Sequence, residues 1–342
     1  MPDGYRTLTG SFPVFAASLP AKKGDAAQGG KPVVSVACGL GIEKMNRQDN
    51  NLRTQKEFDF STKDFRRIRS LIYKRAGITL ADTKEEMVYS RIARRLRATG
   101  YQDFTIYLDH LENGKMEYEW EAFTNALTTN LTSFFREDQH FPILAEHAKQ
   151  RRGQGIYTVW CSASSTGEEP YSIAIALCEA FNSLSPPVQI IATDIDTNVL
   201  KTAANGVYNI EKVEKVSRDR LRKFFLNGTG KHQGLVRVRR ELQELITYRQ
   251  VNLLENNWPI RGPLDVIFCR NVMIYFDKPT QGKILERFAP LLKADGLLFA
   301  GHSENFTYVT NDFALSGKTV YKLAPNYVAS RTSTEKGRSA DK

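Results

Sequence analysis

Two adjacent carboxylates, Glu168 and Glu169, follow a run of small residues, Cys161-Ser-Ala-Ser-Ser-Thr-Gly167, and open an apolar stretch of helical character. Small residues after a strand let a ligand approach the backbone closely, and Gly167 relaxes the turn. A pyrophosphate at this helix start would be repelled by the two carboxylates, which argues against a dinucleotide. The pattern suits a ligand with hydroxyls, an amine or a sulfonium charge. The plainer explanation is a helix start whose acidic residues favour its dipole. Further along, an apolar run ends in Ala192-Thr-Asp194-Ile-Asp196. Asp194, at the strand tip, is placed to bind ribose hydroxyls, whereas Asp196 is better placed to cap the next helix.

A third apolar run ends in Arg270 and Asn271, with Tyr275 shortly after. Methyl transfer to amino groups of nucleic-acid bases often uses Asn/Asp-Pro-Pro-Tyr at such a strand end. The proline-free Arg-Asn-Val-Met here weakens a nucleic-acid reading despite the net charge of +10. A strand-end turn in which Asn271 caps the following helix is the structural alternative. Asn130, Thr132 and Arg136 punctuate an apolar segment between two regions of different texture. Capping could account for the first two and a salt bridge for the third.

These groups need elements to hold them. Residues 157–161, 188–193, 264–269, 296–300 and 319–323 read as strands, and helices are expected over 169–181, 197–204 and 280–292. Such alternation implies α/β architecture: a Rossmann-like, doubly wound sheet with ligands at the carboxyl ends of its strands. The alternating α/β part spans 126–325. Residues 206–251 break the alternation with a helix over 217–226 and strand-like runs at 235–238 and 245–248, read as a small antiparallel β subdomain inserted in the sheet. Residues 53–125 read as an N-terminal helical domain. Its first helix, 59–76, carries Phe60, Phe65, Ile68, Ile72 and Tyr73 and stops at Gly77. Its second, 84–98, has the apolar stripe Val88, Ile92 and Leu96. Further helices are expected over 104–113 and 117–127. Residues 1–52 and 326–342 read as flexible extensions.

Composition narrows the remaining classes. The four cysteines, Cys38, Cys161, Cys178 and Cys269, form no C-x-x-C pair and do not cluster with the five histidines. No metal site is expected, and a reduced, cytoplasmic protein fits better than a disulfide scaffold. No apolar run approaches the ~20 residues of a membrane span, and no secretory signal is visible, so no membrane insertion is expected.

The strings TTNLTSFFRE, WCSASSTGEEPYSIA, ATDID, FCRNVMIYF and LLFAGHSENF together resemble the CheR-type chemotaxis receptor methyltransferases, over about residues 55–323. The resemblance implies a class I S-adenosylmethionine methyltransferase fold. It also implies transfer of methyl from S-adenosyl-L-methionine to glutamate side chains of chemoreceptors, releasing S-adenosyl-L-homocysteine. Residue by residue, it assigns methyl-donor contacts to Asn130, Thr132 and Arg136, to Glu169 and Asp194, to Asn252 and Leu253, and to Arg270 and Asn271.

An ionised glutamate is already a nucleophile at neutral pH, so no general base is expected. Alignment and exchange of water for fixed dipoles should carry catalysis. Arg136 and Tyr275 are the candidates for orienting the reacting groups. The basic face formed by Arg91, Arg94, Arg95 and Arg97 suits the acidic cytoplasmic helices of chemoreceptors, although such a face is often only solvated. A glycine-rich turn at 227–234 resembles family members whose β subdomain holds a receptor's C-terminal peptide. A monomer is expected. The competing readings are a nucleic-acid methyltransferase and a catalytically silent receptor-binding module.

Overall fold

The computed structural model describes residues 5–7 and 56–328. The rest of the expected extension, including Cys38, and the tail beyond residue 328 lie outside the described residues. A short strand, β1 (Tyr5–Thr7), comes first, where composition had suggested only a flexible extension.

Four helices then form the N-terminal domain: α1 (Thr62–Ala76), α2 (Glu85–Thr99), α3 (Phe104–Glu112) and α4 (Glu119–Leu127). Helix α1 starts at a reciprocal capping box. The Ser61 hydroxyl accepts from the Asp64 amide, and the Asp64 carboxylate accepts from the Ser61 amide. Gly77, at φ 69°, ends the helix in the left-handed conformation. Phe65, Ile68 and Ile72 are buried as their spacing implies. Tyr73 is not: it is 44% exposed, and its hydroxyl donates to Asp277 at 2.6 Å. The stripe Val88, Ile92 and Leu96 of α2 is fully buried in the same core.

Helix α5 (His140–Gln150), for which no helix was read from the sequence, leads into the sheet domain. There follow β2 (Tyr157–Cys161), α6 (Glu168–Phe181), β3 (Val188–Asp194), α7 (Thr197–Asn205) and β4 (Val207–Asn209). Next come α8 (Arg218–Phe224), β5 (Phe225–Gly228), β6 (Leu235–Val238), α9 (Arg240–Gln243) and β7 (Ile246–Gln250). The chain closes with β8 (Leu264–Cys269), α10 (Lys278–Phe288), β9 (Leu292–Ala300), β10 (Phe313–Gly317) and β11 (Val320–Leu323).

The main sheet has the order β10-β11-β9-β8-β2-β3-β7. Strands β9, β8, β2, β3 and β7 pair in parallel, and β11 and β10 add antiparallel at one end. Every residue of β8 is buried, as expected of a central strand covered on both faces. The order reverses between β2 and β8, and a crevice opens there at the carboxyl ends of the strands.

Several strand assignments differ from the sequence reading: β4 was not read, and β5 takes Phe225 and Leu226 from the end of the helix expected over 217–226. The run at 245–248 belongs to the main sheet, not to the antiparallel insertion: Ile246 pairs in parallel with Ile190, and Tyr248 with Ala192. Its short apolar pattern suits either sheet, and only the long-range pairing decides. Strand β10 was missed because four of its five residues, from Ala314 on, are exposed on the sheet edge. The inserted small sheet has the order β1-β5-β6-β4, so the N-terminal strand completes it.

Candidate active site

The crevice is a cleft of about 980 Å³, counting the space at its open mouth. Asn130, Thr132, Arg136, Glu169, Asp194, Asn252, Leu253, Arg270, Asn271 and Tyr275 all line it. Residues from distant stretches therefore converge on one site. Ala76, Ile78 and Leu80 of the helical domain close one wall, a contribution invisible in the motifs.

The turn after β2 is shaped by Gly167, which sits at φ +100°. A Cβ there would lie 2.7 Å from the Tyr208 hydroxyl and 2.8 Å from the Ala203 Cβ, so glycine is required twice over. The two carboxylates that follow separate in role. Glu168 is fully buried, accepts from the Thr166 hydroxyl at 2.6 Å and lies 3.7 Å from the Lys212 ammonium, away from the cleft lining. Glu169 faces the cleft. The Cys161 thiol donates to its Oε1 at 3.2 Å, and Arg270 Nη1 lies 3.4 Å from its Oε2. Burial raises the Glu169 pKa, and the Arg270 charge opposes that rise. Burial also holds the Cys161 thiol well above its ordinary value, consistent with its donating here.

Asp194 accepts from the Ser165 amide at 2.8 Å through Oδ2 and from the Asp196 amide at 3.0 Å through Oδ1. Burial pushes its pKa up to about 6 against those backbone donors. Asp196 caps α7 through the amides of Asn198 and Val199, as expected. It also accepts from the Asn130 side chain at 2.9 Å and the Thr128 hydroxyl at 2.8 Å. Neither Asn130 nor Thr132 is a helix cap. Asp196 pins the interdomain segment over the cleft, a second duty its sequence position did not reveal.

Arg270 is 4% exposed. One of its terminal nitrogens donates to the Arg136 carbonyl, and its guanidinium lies 3.7 Å from the Glu137 carboxylate. Its Nε and Nη1 have no hydrogen-bond partner. Nη1 remains in ion-pair range of Glu169, and the two buried nitrogens, making no hydrogen bond, suit an anionic oxygen. The Arg136 guanidinium is tied at 2.8 Å to the Leu131 carbonyl, not held in an ion pair. Asn252 donates to the Arg75 carbonyl at 2.8 Å and accepts from the Leu254 amide at 3.0 Å, so its side chain stitches α1 to the sheet beside the cleft.

Asn271 does not cap a helix either; Asp277 caps α10. Asn271 stands at φ 57°, and its side chain donates to Glu137 at 3.2 Å. Its backbone is held by Glu304, which the sequence reading did not single out although it lies within the string LLFAGHSENF. Glu304 accepts from the amides of Asn271, Val272 and Met273 at 2.9, 3.0 and 2.8 Å and from Gly301 at 2.6 Å. Burial raises its pKa, and those backbone donors work in the opposite direction. This carboxylate fixes the turn that carries Tyr275. Glu137 is a second omission. Burial would raise its pKa, but His302, Arg270 and Asn271 outweigh burial and lower it.

The basic face of α2 lies outside the cleft lining and divides in two. Arg91 donates to the carbonyls of Ala126 and Thr128. Arg95 donates to buried Glu119 through Nε and Nη2, each at 2.8 Å, and Tyr107 donates to the same carboxylate at 2.9 Å. Both arginines thus make contacts within the domain that the basic-face reading did not foresee. Arg94 and Arg97 are exposed. Tyr89, the one aromatic on that helix, packs inward on Phe60 and Phe104 with ring centroids 5.6 and 5.9 Å apart. Among the described residues, no group of His, Cys, Asp and Glu could hold a metal, and no helix is long and apolar enough to cross a membrane.

Residues 130–322 match the family model for the CheR methyltransferase, SAM binding domain, and residues 63–128 match that for the CheR methyltransferase, all-alpha domain. A chemotaxis protein methyltransferase of Salmonella typhimurium is 55% identical over 273 residues, covering 80% of this chain and 94% of that protein. The protein of the same name from Escherichia coli is 52% identical over 80% of this chain and 95% of its own length. Chemotaxis protein methyltransferase 2 of Pseudomonas aeruginosa is 51% identical, covering 78% of this chain and 95% of that protein.

Proposed function

The chain belongs to the CheR methyltransferase family, and from that premise we propose that it methylates glutamate side chains on the cytoplasmic helices of chemoreceptors, as an S-adenosylmethionine-dependent enzyme of chemotaxis. The observation that carries the site assignment is the buried Arg270 guanidinium, two of whose nitrogens make no hydrogen bond, beside Glu169, with Asp194 across the same cleft. S-adenosylmethionine bears a carboxylate, an amine and a ribose diol. Arg270 suits the carboxylate, Glu169 the amine and Asp194 the diol, so the residues present fit the group. Asn130, Thr132, Asn252, Leu253 and Asn271 complete the walls. When bound, S-adenosylmethionine supplies a methyl group on a sulfonium centre.

The chain's own work is positional. A carboxylate acceptor needs no base to become a nucleophile. Arg136 and Tyr275, both on the cleft lining, orient the incoming glutamate, and the wall from the helical domain limits water around it. Exposed Arg94 and Arg97 meet acidic residues of the receptor helix. The small sheet docks an extended receptor-tail peptide by strand addition.

Calorimetry with S-adenosylhomocysteine separates an enzyme from a silent binding module, since the module would give no heat of binding. Receptor-tail peptides titrated onto the full chain and onto a chain lacking residues 1–10 test the docking surface, and binding to neither at millimolar peptide counts against it. A nucleic-acid enzyme would instead bind nucleic acid with steep salt dependence.

A further inference from the structure

Strand β5 would be the open edge of a three-stranded insertion if the small sheet contained only β4, β5 and β6. An open edge is a row of unpaired backbone donors and acceptors, and it invites another strand. In this chain the edge is taken. Strand β1 pairs antiparallel with β5, with Tyr5 opposite Gly228, Arg6 opposite Asn227 and Thr7 opposite Leu226.

Backbone pairing is reinforced by a seat for one aromatic ring. Tyr5 is only 7% exposed. Its ring stacks on His232 at a centroid distance of 5.0 Å and an interplanar angle of 26°. The Arg237 guanidinium lies 5.9 Å from the same ring. Gly228 makes this seat possible. A Cβ at that position would fall 2.0 Å from the His232 carbonyl oxygen, so a side chain there would push the turn away and take His232 with it.

We infer that Tyr5–Thr7 is an internal occupant of this edge, holding in cis the place that an extended peptide with an aromatic side chain takes in trans. Release of the N-terminus then gates peptide docking on the small sheet. Because the occupant is part of the same chain, a free peptide competes against an effective concentration and not against an empty site. The gate rests on the docking function proposed above for the small sheet; occupancy by β1 does not.

The test compares the full chain with a chain lacking residues 1–10, using Tyr5→Ala in the full chain as a second variant. Backbone hydrogen exchange is measured across β5 and β6. Truncation should speed exchange at amides of β5 by at least ~10-fold and leave the inner β6 ladder unchanged. A synthetic peptide of residues 1–10, added at millimolar concentration, should restore the protection. Equal exchange at β5 in the full and truncated chains would overturn the occupancy. A fluorescent receptor-tail peptide with an aromatic side chain should bind the truncated and Tyr5→Ala chains at least ~10-fold more tightly than the full chain. Equal affinity would overturn the gate. Binding to none of the three would remove the docking function, and the gate with it, while the exchange data would still decide occupancy.

Discussion

The Arg270 guanidinium lies 3.4 Å from the Glu169 carboxylate on the wall of the cleft, and the two side chains are only 1% and 11% exposed. A buried cation with unsatisfied N–H groups is costly unless something completes it. Arg270→Met should weaken S-adenosylhomocysteine binding about 100-fold and lower stability by about 3 kcal/mol, because it leaves Glu169 without its counter-charge. Glu169→Gln keeps the shape and should lose about 10-fold in affinity. Calorimetry and urea unfolding check both. Unchanged binding by Arg270→Met would remove that residue from the site.

Asp194 makes the affinity depend on pH. Its pKa in the folded chain is about 6, raised by burial. The sign for stability follows from the folded state holding the proton more tightly than the unfolded chain. The contribution is full below the ordinary carboxylate pKa and is lost as pH rises through about 6. Ribose hydroxyls favour the ionised form, so S-adenosylhomocysteine should bind more tightly as pH rises through the same window. Asp194→Asn should flatten that profile. A profile identical in the two proteins would show that another group titrates.

Glu304 acts at one remove from the ligand. Four backbone amides converge on its carboxylate, and Gly301 leaves no room for a Cβ, which would lie 2.4 Å from the Asn271 side-chain nitrogen. Glu304→Gln replaces one acceptor oxygen with a donor and leaves amides of the 271–273 turn unpaired. A stability loss of about 1–3 kcal/mol is expected. Turnover should fall more than cofactor affinity, because the turn carries Tyr275. Thermal unfolding and steady-state kinetics read the two effects separately.

The arginines of α2 should divide in experiment as they do in structure. Arg94→Glu together with Arg97→Glu should raise the apparent KM for receptor and leave S-adenosylhomocysteine affinity unchanged. Arg95→Glu instead sets two carboxylates together inside the helical domain, and a loss of about 3–5 kcal/mol is expected. A normal melting temperature for Arg95→Glu, with receptor KM raised, would return Arg95 to the docking surface.

Elements with strong local signals were legible in sequence. Tyr157–Cys161 and Leu264–Cys269 are strands bounded as their apolar runs suggested. Asp194, Arg270 and Asn271 were legible because they sit at strand ends, where an apolar pattern breaks into polar groups, whereas Asn130, Thr132, Arg136, Asn252 and Leu253 were assigned only by the resemblance. What escaped depended on partners far along the chain. Ile246–Gln250 looks like a hairpin strand until it meets β3. Arg95 looks solvated until Glu119 arrives from another helix. Tyr5–Thr7 carries no strand pattern of its own, and the open edge of β5 imposes one. Glu304 belonged to a resembling string, but its four amide partners lie on two turns that only the fold brings together.

Transfer of labelled methyl from S-adenosylmethionine to receptor-bearing membranes, followed by mapping of the label, tests the central claim most directly. Base-labile esters should appear on receptor glutamates with the unmodified chain, and Arg136→Ala, still folded, should lose most of that turnover. Label that resists mild base, or that accumulates on nucleic acid while receptors stay unmodified, would contradict the account.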